Sequence, residues 1–382
     1  MTISSPSPFA SPFPGLQIKQ GAPALRRPSR EEALSFPQEA ERLLRETWAA
    51  QMLCLKTGSF ELEWIKDKHF LLAGATGAGL GGAIAAALLN YLDSLGSLTV
   101  IARDPKRSLG FETGQYMLLK AEGKGKQDKF HWLNSGLSLE GERLEKIVAA
   151  LKENGAGQVV YINTVAAAVS GLLPGFPPVF VKDVDGEGLF QWELVPLDER
   201  SIEVTQFTMG TLATGFPQVL REAGIEVEAT AFTDWRGSFD RTSQEPLSPD
   251  YGRQGAYSTS LFLPKQIIQQ AVSVAYGTNE VMIDIFLPVM NTHALSMIPG
   301  GVAMYHLFQK IMQDQGVKPP SVPELALGVL DQLGKALTGK DKNPFPRLDA
   351  HEAPFDLWFI EILKRLNQDE RSEFYYKKWI SF

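Results

Sequence analysis

The sequence predicts an α/β fold, a doubly wound parallel sheet with helices on both faces, and three observations carry that reading. First, the apolar run Phe70-Leu71-Leu72-Ala73 breaks abruptly into Gly74-Ala75-Thr76-Gly77-Ala78-Gly79-Leu80, then continues as an alanine-rich segment to Tyr91. That is the pattern of a buried strand, a tight turn and a helix N-terminus, the opening of a Rossmann-type unit. Second, another apolar run, Leu98 to Ala102, follows the helix and completes a β-α-β unit. Third, the apolar runs Val159–Asn163, Val227–Phe232 and Val281–Val289 alternate with helical segments. Such alternation implies parallel strands joined by crossover helices.

The elements follow in order. Residues 1–28 are rich in Pro and Ser and read as an extended or disordered arm. Ser29 can cap a helix with Glu31 and Glu32 in its first turn, and this helical extension runs to about Leu55. Arg143 to Asn154 is amphipathic and stops at Gly155, a good C-cap. Pro174 to Pro178 is a turn, while Phe190–Val195 and Ser201–Phe207 read as extended, a hairpin-like insertion. Met209 to Ala223 reads as a helix. Asp234 to Gly255 is a polar loop long enough to be a lid. A helix is expected after Pro264, with the proline in its first turn. Tyr305–Asp314, Val322–Leu337 and the tail Phe355–Lys377 complete the helices. The expected organisation is one domain over residues 29–382, with a substrate-covering insertion around 170–260 and a helical C-terminal part, 300–382.

Bulk properties exclude several classes. The 382 residues carry a net charge of −7, which argues against nucleic acid as a partner. No apolar run approaches the ~20 residues of a membrane span, and the N-terminus lacks the basic start and apolar core of a secretory signal. A cytoplasmic location is expected. The single cysteine, Cys54, rules out an intramolecular disulfide, and it reads as core. Five scattered histidines, His131 and His293 among them, show no ligand spacing, so no metal site is expected. No Gly-x-Ser-x-Gly element marks a serine hydrolase. The aromatics of the tail, Trp358 and Phe374-Tyr375-Tyr376, fit either a subunit contact or a cover over the substrate, so a monomer or a homodimer is expected.

The glycine turn carries the chemistry. Residues without a Cβ let backbone amides approach a pyrophosphate, and a helix dipole favours the negative charge. Gly74, Thr76, Gly77, Ala78, Gly79 and Leu80 are the candidate dinucleotide loop. After the second strand, Arg103-Asp104-Pro105-Lys106-Arg107 sets three cations around one anion where a ribose would lie. A basic group there accommodates a 2′-phosphate, which favours NADPH while leaving NADH open. Asn134 falls near the expected adenine. Asn163, Thr164 and Val165 open a small-residue segment suited to close backbone approach.

These segments together resemble the FabV-type enoyl reductases and the trans-2-enoyl-CoA reductases, enlarged relatives of the short-chain dehydrogenases/reductases. The glycine turn is similar to the family's cofactor loop, and Gln158-Val159-Val160-Tyr161 falls where the family has its post-strand cofactor segment. Phe207-Thr208-Met209-Gly210 resembles the family's Val-Met-Gly stretch. The most specific match is Asn291-Thr292-His293-Ala294-Leu295-Ser296-Met297-Ile298-Pro299, which implies that Thr292 approaches the nicotinamide. Arg347-Leu348-Asp349 and Asp356-Leu357-Trp358 resemble the family's C-terminal end. The resemblance implies an NAD(P)H-dependent reductase of an enoyl thioester on CoA or an acyl carrier protein. The alternatives are a ketone or aldehyde reductase or alcohol dehydrogenase, and a catalytically inactive cofactor-binding interaction protein.

The family pairs a Tyr with a Lys nine positions later, and no such pair stands here. Tyr251 fits by chain order; Tyr257 is one position too close to the next lysine, Lys265. The implied catalytic residues are Tyr251 or Tyr257 with Lys265, which would also bond the nicotinamide ribose. Phe232 and Asp234 stand where the family has tyrosines, and Asp234 is a further candidate acid. A phenol beside an ammonium can stabilise the oxyanion that hydride delivery creates.

Overall fold

The computed structural model describes residues 62–75, 79–102, 109–165, 199–235, 255–278, 280–288 and 320–348, with the short pieces 179–182, 190–193, 239–240, 245–246, 290, 312 and 316–317. The N-terminal arm and helical extension, Cys54, the Pro174–Pro178 turn, the expected Tyr305–Asp314 helix except Met312, and the C-terminal tail lie outside the described residues.

Six strands form one parallel sheet: β1 (His69–Ala73), β2 (Ser97–Ala102), β3 (Phe130–Asn134), β4 (Gln158–Asn163), β7 (Glu226–Trp235) and β10 (Val281–Leu287), in the order β10-β7-β4-β1-β2-β3. Between β4 and β7 in the chain, β5 (Val179–Lys182) and β6 (Phe190–Glu193) pair antiparallel, so Phe190–Glu193 is extended as expected but pairs with Val179–Lys182 and not with Ser201–Phe207. The ribbon β8 (Phe239–Asp240) and β9 (Glu245–Pro246) lies within the polar loop. Beyond β10, the stretch 344–348 adds to the sheet edge: the amides of Asp284 and Phe286 donate to the carbonyls of Pro344 and Pro346, and that of Leu348 to Phe286. There the side chain of Asn343 both accepts from the Phe345 amide, at 3.0 Å, and donates to its carbonyl, at 3.2 Å.

Helices cover both faces. On one side, α1 (Leu80–Asn90) packs with α2 (Leu109–Gly123) and α7 (Val322–Leu337) over Phe70, Leu72, Leu98, Val100, Val160, Ile162, Ile283 and Ile285. On the other, α3 (Gly141–Glu153) and α5 (Leu212–Glu222) cover Leu71, Ile101, Val159 and Tyr161, and α6 (Gly255–Tyr276) covers Phe232 and Met282. The strands are therefore apolar on both faces, the pattern of a sheet sandwiched between helices. Ten of the eleven residues of α1 are buried, which is why this helix reads as almost wholly Ala, Leu, Ile and Gly. Gly155 ends α3 at φ +69°, as its C-cap reading expects. The segment Val322–Leu337 is a helix over the expected residues.

Two expectations are corrected. Ser201–Phe207 is not extended: α4 (Glu199–Gln206) runs through a π-helical turn at Phe207–Thr211 directly into α5. Ile202, Val204 and Thr205 suggest a strand, yet packing against α6 decides for helix. Hydroxyls serve carbonyls along this irregular stretch: Thr208 Oγ1 donates to Val204 O at 2.7 Å, and Thr214 Oγ1 to Gly210 O at 3.0 Å. Pro264 does not open a helix; it lies inside α6, buried. Its partner is Gly210 of the π turn, where a Cβ would stand 3.1 Å from Pro264 Cα and 2.8 Å from Ile267 Cδ1.

Candidate functional site

In open parallel sheets the ligand crevice lies beyond the carboxyl ends of the strands, where the strand order reverses. Here the reversal falls between β1 and β4. The two chains leave the sheet in direct contact. Gly74 has φ +100°, and a Cβ there would lie 2.7 Å from both Thr164 C and Val165 N. Thr164 is pinned by its amide and its hydroxyl, each donating to Ala73 O at 2.9 Å. The first turn of α1 closes onto this point: a Cβ on Gly81 would overlap Thr164 Oγ1 and stand 2.8 Å from Gly74 O. Gly74 and Gly81 are thus glycines for packing as well as for backbone freedom.

The N-terminus of α1 is equipped for an anion. Its N-cap, Gly79, has no side chain to bond the free amides, its first turn carries no acidic residue, and a Cβ on Gly79 would meet nothing within 4 Å. Uncapped amides, dipole and open space fit the diphosphate of a dinucleotide. Leu80 is buried beneath them. Thr76, Gly77 and Ala78 lie outside the described residues, as do Arg103, Tyr251 and Thr292.

Asn163 ends β4 with 4 % of its surface exposed. Its Oδ1 accepts from the Val165 amide at 2.8 Å, which orients the carboxamide, and its buried Nδ2 lies beside the Tyr161 phenol. Val165 packs against the α3–α5 core. Asn134 is exposed at the carboxyl end of β3, alongside Ala102 of β2, so it stands on the same edge of the sheet.

Lys265 sits mid-helix in α6, only 8 % exposed, and its Nζ lies 3.2 Å from Oδ1 of Asp234, itself 6 % exposed near the end of β7. Thr233, beside it, donates through Oγ1 to Asn163 O at 3.3 Å, which ties the carboxyl end of β7 to that of β4. The structure thus brings Gly74, Asn163, Thr164, Asp234 and Lys265 to one edge of the sheet. The Asp234–Lys265 pair lay beyond sequence reasoning, because the two residues come from different elements with no spacing rule between them. Tyr257 falls within α6, eight residues before Lys265, which is about 12 Å along a helix axis. Phe232, standing where the resembled family has a tyrosine, is buried against Ile268 and Val272.

Other polar groups have structural explanations. Burial drives the Tyr161 phenol far above its ordinary range, opposed by the Asn163 carboxamide beside it. His131 Nε2 engages Asp128 O at 2.9 Å, and burial lowers its pKa. Among the described residues no cluster of His, Cys, Asp or Glu could hold a metal ion, and no helix is long and apolar enough to cross a membrane.

The trans-2-enoyl-CoA reductase of Clostridium acetobutulicum, solved in complex with NAD, superposes on this chain with a TM-score of 0.54 at 14 % identity, covering 93 % of this chain and 92 % of that one. The chain has the fold of these reductases. The Treponema denticola trans-2-enoyl-CoA reductase in complex with NAD gives 0.53 at 14 % identity, over 93 % and 90 % of the two chains. The FabI–NADH complex from Alistipes finegoldii gives 0.51 at 12 % identity, over 74 % and 87 %. No protein-family model matches the sequence, and no curated protein matches it. The fold resemblance stated from the residues is borne out over nearly the whole chain, at a sequence identity that leaves activity to the site itself.

Proposed function

We propose that this protein is a nicotinamide-dinucleotide-dependent oxidoreductase that reduces a trans-2-enoyl thioester carried by CoA or an acyl carrier protein. The observation that carries this reading is the crevice at the β1–β4 reversal, with uncapped amides of α1 on one side and Thr164, held on Ala73 O, on the other. The fold shared with trans-2-enoyl-CoA reductases supports the substrate class. A bound reduced nicotinamide would supply hydride for the substrate β-carbon.

The chain's residues do the rest. Gly74, Gly79 and the amides that open α1, with Thr76, Gly77 and Ala78, hold the diphosphate; Asn163 and Thr164 line the crevice floor, and Thr292 approaches the nicotinamide. Lys265 bonds the nicotinamide ribose. Tyr251, or Tyr257 from the start of α6, stabilises the enolate oxygen by donating its phenol hydrogen bond. Arg103 receives a 2′-phosphate, which makes NADPH the preferred donor over NADH. The polar loop that follows β7 and the β5–β6 ribbon cover the substrate, whereas the rest of the expected 170–260 insertion, with β7 and α5, belongs to the sheet and its helical layer.

The test is direct. Reduced dinucleotides are titrated calorimetrically into the pure protein, and absorbance loss is followed with crotonyl-CoA or acetoacetyl-CoA. Turnover of crotonyl-CoA supports the proposal. Turnover of acetoacetyl-CoA alone makes the protein a carbonyl reductase, and uptake of nucleotide with no turnover makes it a binding protein.

A further inference from the structure

The geometry points to Asp234 as a positioning residue for Lys265, holding its ammonium at the crevice rim, where it meets the nicotinamide ribose. This inference rests on the dinucleotide reading above and deepens it. A buried ammonium needs a carboxylate partner, because an unpaired charge at that depth is costly. The sheet face beneath α6 offers two. Asp234 lies near the carboxyl end of β7, in register with Phe286 of β10, whereas Asp284, fully buried, is in register with Phe232. By alternation both carboxylates share the face that carries Phe232 and Met282 against α6. They are diagonal neighbours, with Asp284 two residues, about 6.6 Å, deeper along the strands.

The choice of partner therefore sets where the ammonium stands. Paired with Asp234, at 3.2 Å, Lys265 stays level with the strand ends, beside the Thr233–Asn163 link. Drawn to Asp284, it would retreat into the core and away from any ligand over β4. An ammonium has three N–H donors, enough to serve a carboxylate and a ribose hydroxyl together. Asp234 touches neither cofactor nor substrate in this account; it acts through Lys265.

The experiment uses the full chain and two probes. NADH contains the nicotinamide ribose, while ADP shares only the adenosine diphosphate half. Both are titrated calorimetrically into wild type, Asp234→Asn, Asp234→Glu, Lys265→Met and the Asp234→Asn/Lys265→Met pair. Asp234→Asn is expected to weaken NADH by roughly ten- to a hundredfold, the worth of a hydrogen bond to a charged group, and to leave ADP within about twofold. Asp234→Glu keeps the charge but moves it by one methylene, so a smaller, several-fold loss of NADH alone is expected. The paired variant should bind NADH no more weakly than Lys265→Met alone, since both changes remove one interaction.

NADH affinity unchanged in Asp234→Asn, or losses that multiply in the paired variant, overturns the inference. Equal loss of NADH and ADP also overturns it, because that marks a general structural role. Should Asp234→Asn not fold, unchanged NADH affinity in Asp234→Glu overturns it. A wild type that takes up neither of these probes nor NADPH overturns the dinucleotide reading itself, and this inference with it.

Discussion

Gly81, in the first turn of α1, faces Thr164 so closely that a methyl group at residue 81 would overlap the threonine hydroxyl. That hydroxyl cannot step aside without losing its bond to Ala73 O. Gly81→Ala is therefore expected to destabilise the protein by about 1–3 kcal/mol, read from urea denaturation. Adding Thr164→Ala makes room, so the double variant should lose less than the sum of the two single changes.

Gly74→Ala is expected to cost more. Its φ of +100° disfavours a side chain, and the added Cβ meets backbone atoms, Thr164 C and Val165 N, at 2.7 Å. Backbone cannot rotate away as a side chain can. A loss of about 3 kcal/mol or more is expected in the same denaturation measurement, with weakened nucleotide uptake.

Helix α7 opens with a capping box. Ser321 Oγ accepts from the Glu324 amide at 3.3 Å, and Glu324 accepts in return from the Ser321 amide at 2.7 Å. Ser321→Ala should cost about 1 kcal/mol. Ser321→Asn should be nearly neutral, which separates capping from any other loss at the site.

Acid should weaken the fold through two histidines. Burial lowers the pKa of His69, with help from the Lys129 charge, and burial lowers that of His131. As pH falls below about 6.5, the unfolded chain takes up these protons first. Their contribution is thus whole above the unfolded value, declines as pH drops, and levels off below the folded values. His131→Gln should flatten the fall in stability seen in urea titrations between about pH 7.5 and 5.5.

Arg103→Ala is expected to weaken NADPH about tenfold while leaving NADH nearly unchanged, in keeping with loss of a charge-assisted contact to the 2′-phosphate. Equal weakening of both nucleotides would move Arg103 out of the ribose site. Calorimetric titration of each reads the difference.

Legibility in the sequence tracked the locality of the cause. Strand β1, the glycine turn and α1 could be read because their signals sit side by side: Phe70 to Ala73 buried, Gly74 at positive φ, and a helix that is nearly all small and apolar. Helix α2 and strand β3 had not been assigned. Gly114, which weakens the helical pattern of α2, exists for Trp132 of β3: a Cβ there would come within 2.9 Å of the indole. Neither residue announces the other in the chain.

The candidate site divided along the same line. Gly79, Leu80, Asn163 and Thr164 emerged because they terminate a strand or begin a helix. Lys265 stands out in the sequence only through the resemblance, and its partner Asp234 arrives from a strand 31 positions away in the sequence. A π turn that receives Pro264 against Gly210 follows from the meeting of two helices, which no local pattern encodes.

The clasp of Asn343 on Phe345 bears on how the molecule keeps to itself in crowded solution. A flat sheet margin is a template on which foreign strands can polymerise. Here β10 has already spent its amides at Asp284 and Phe286 on the added stretch, whose own inner positions, Pro344 and Pro346, have no amide hydrogen. The outward amide and carbonyl of Phe345 are occupied by one asparagine. Along this margin, a would-be amyloid partner finds the outward pair of Phe345 already taken.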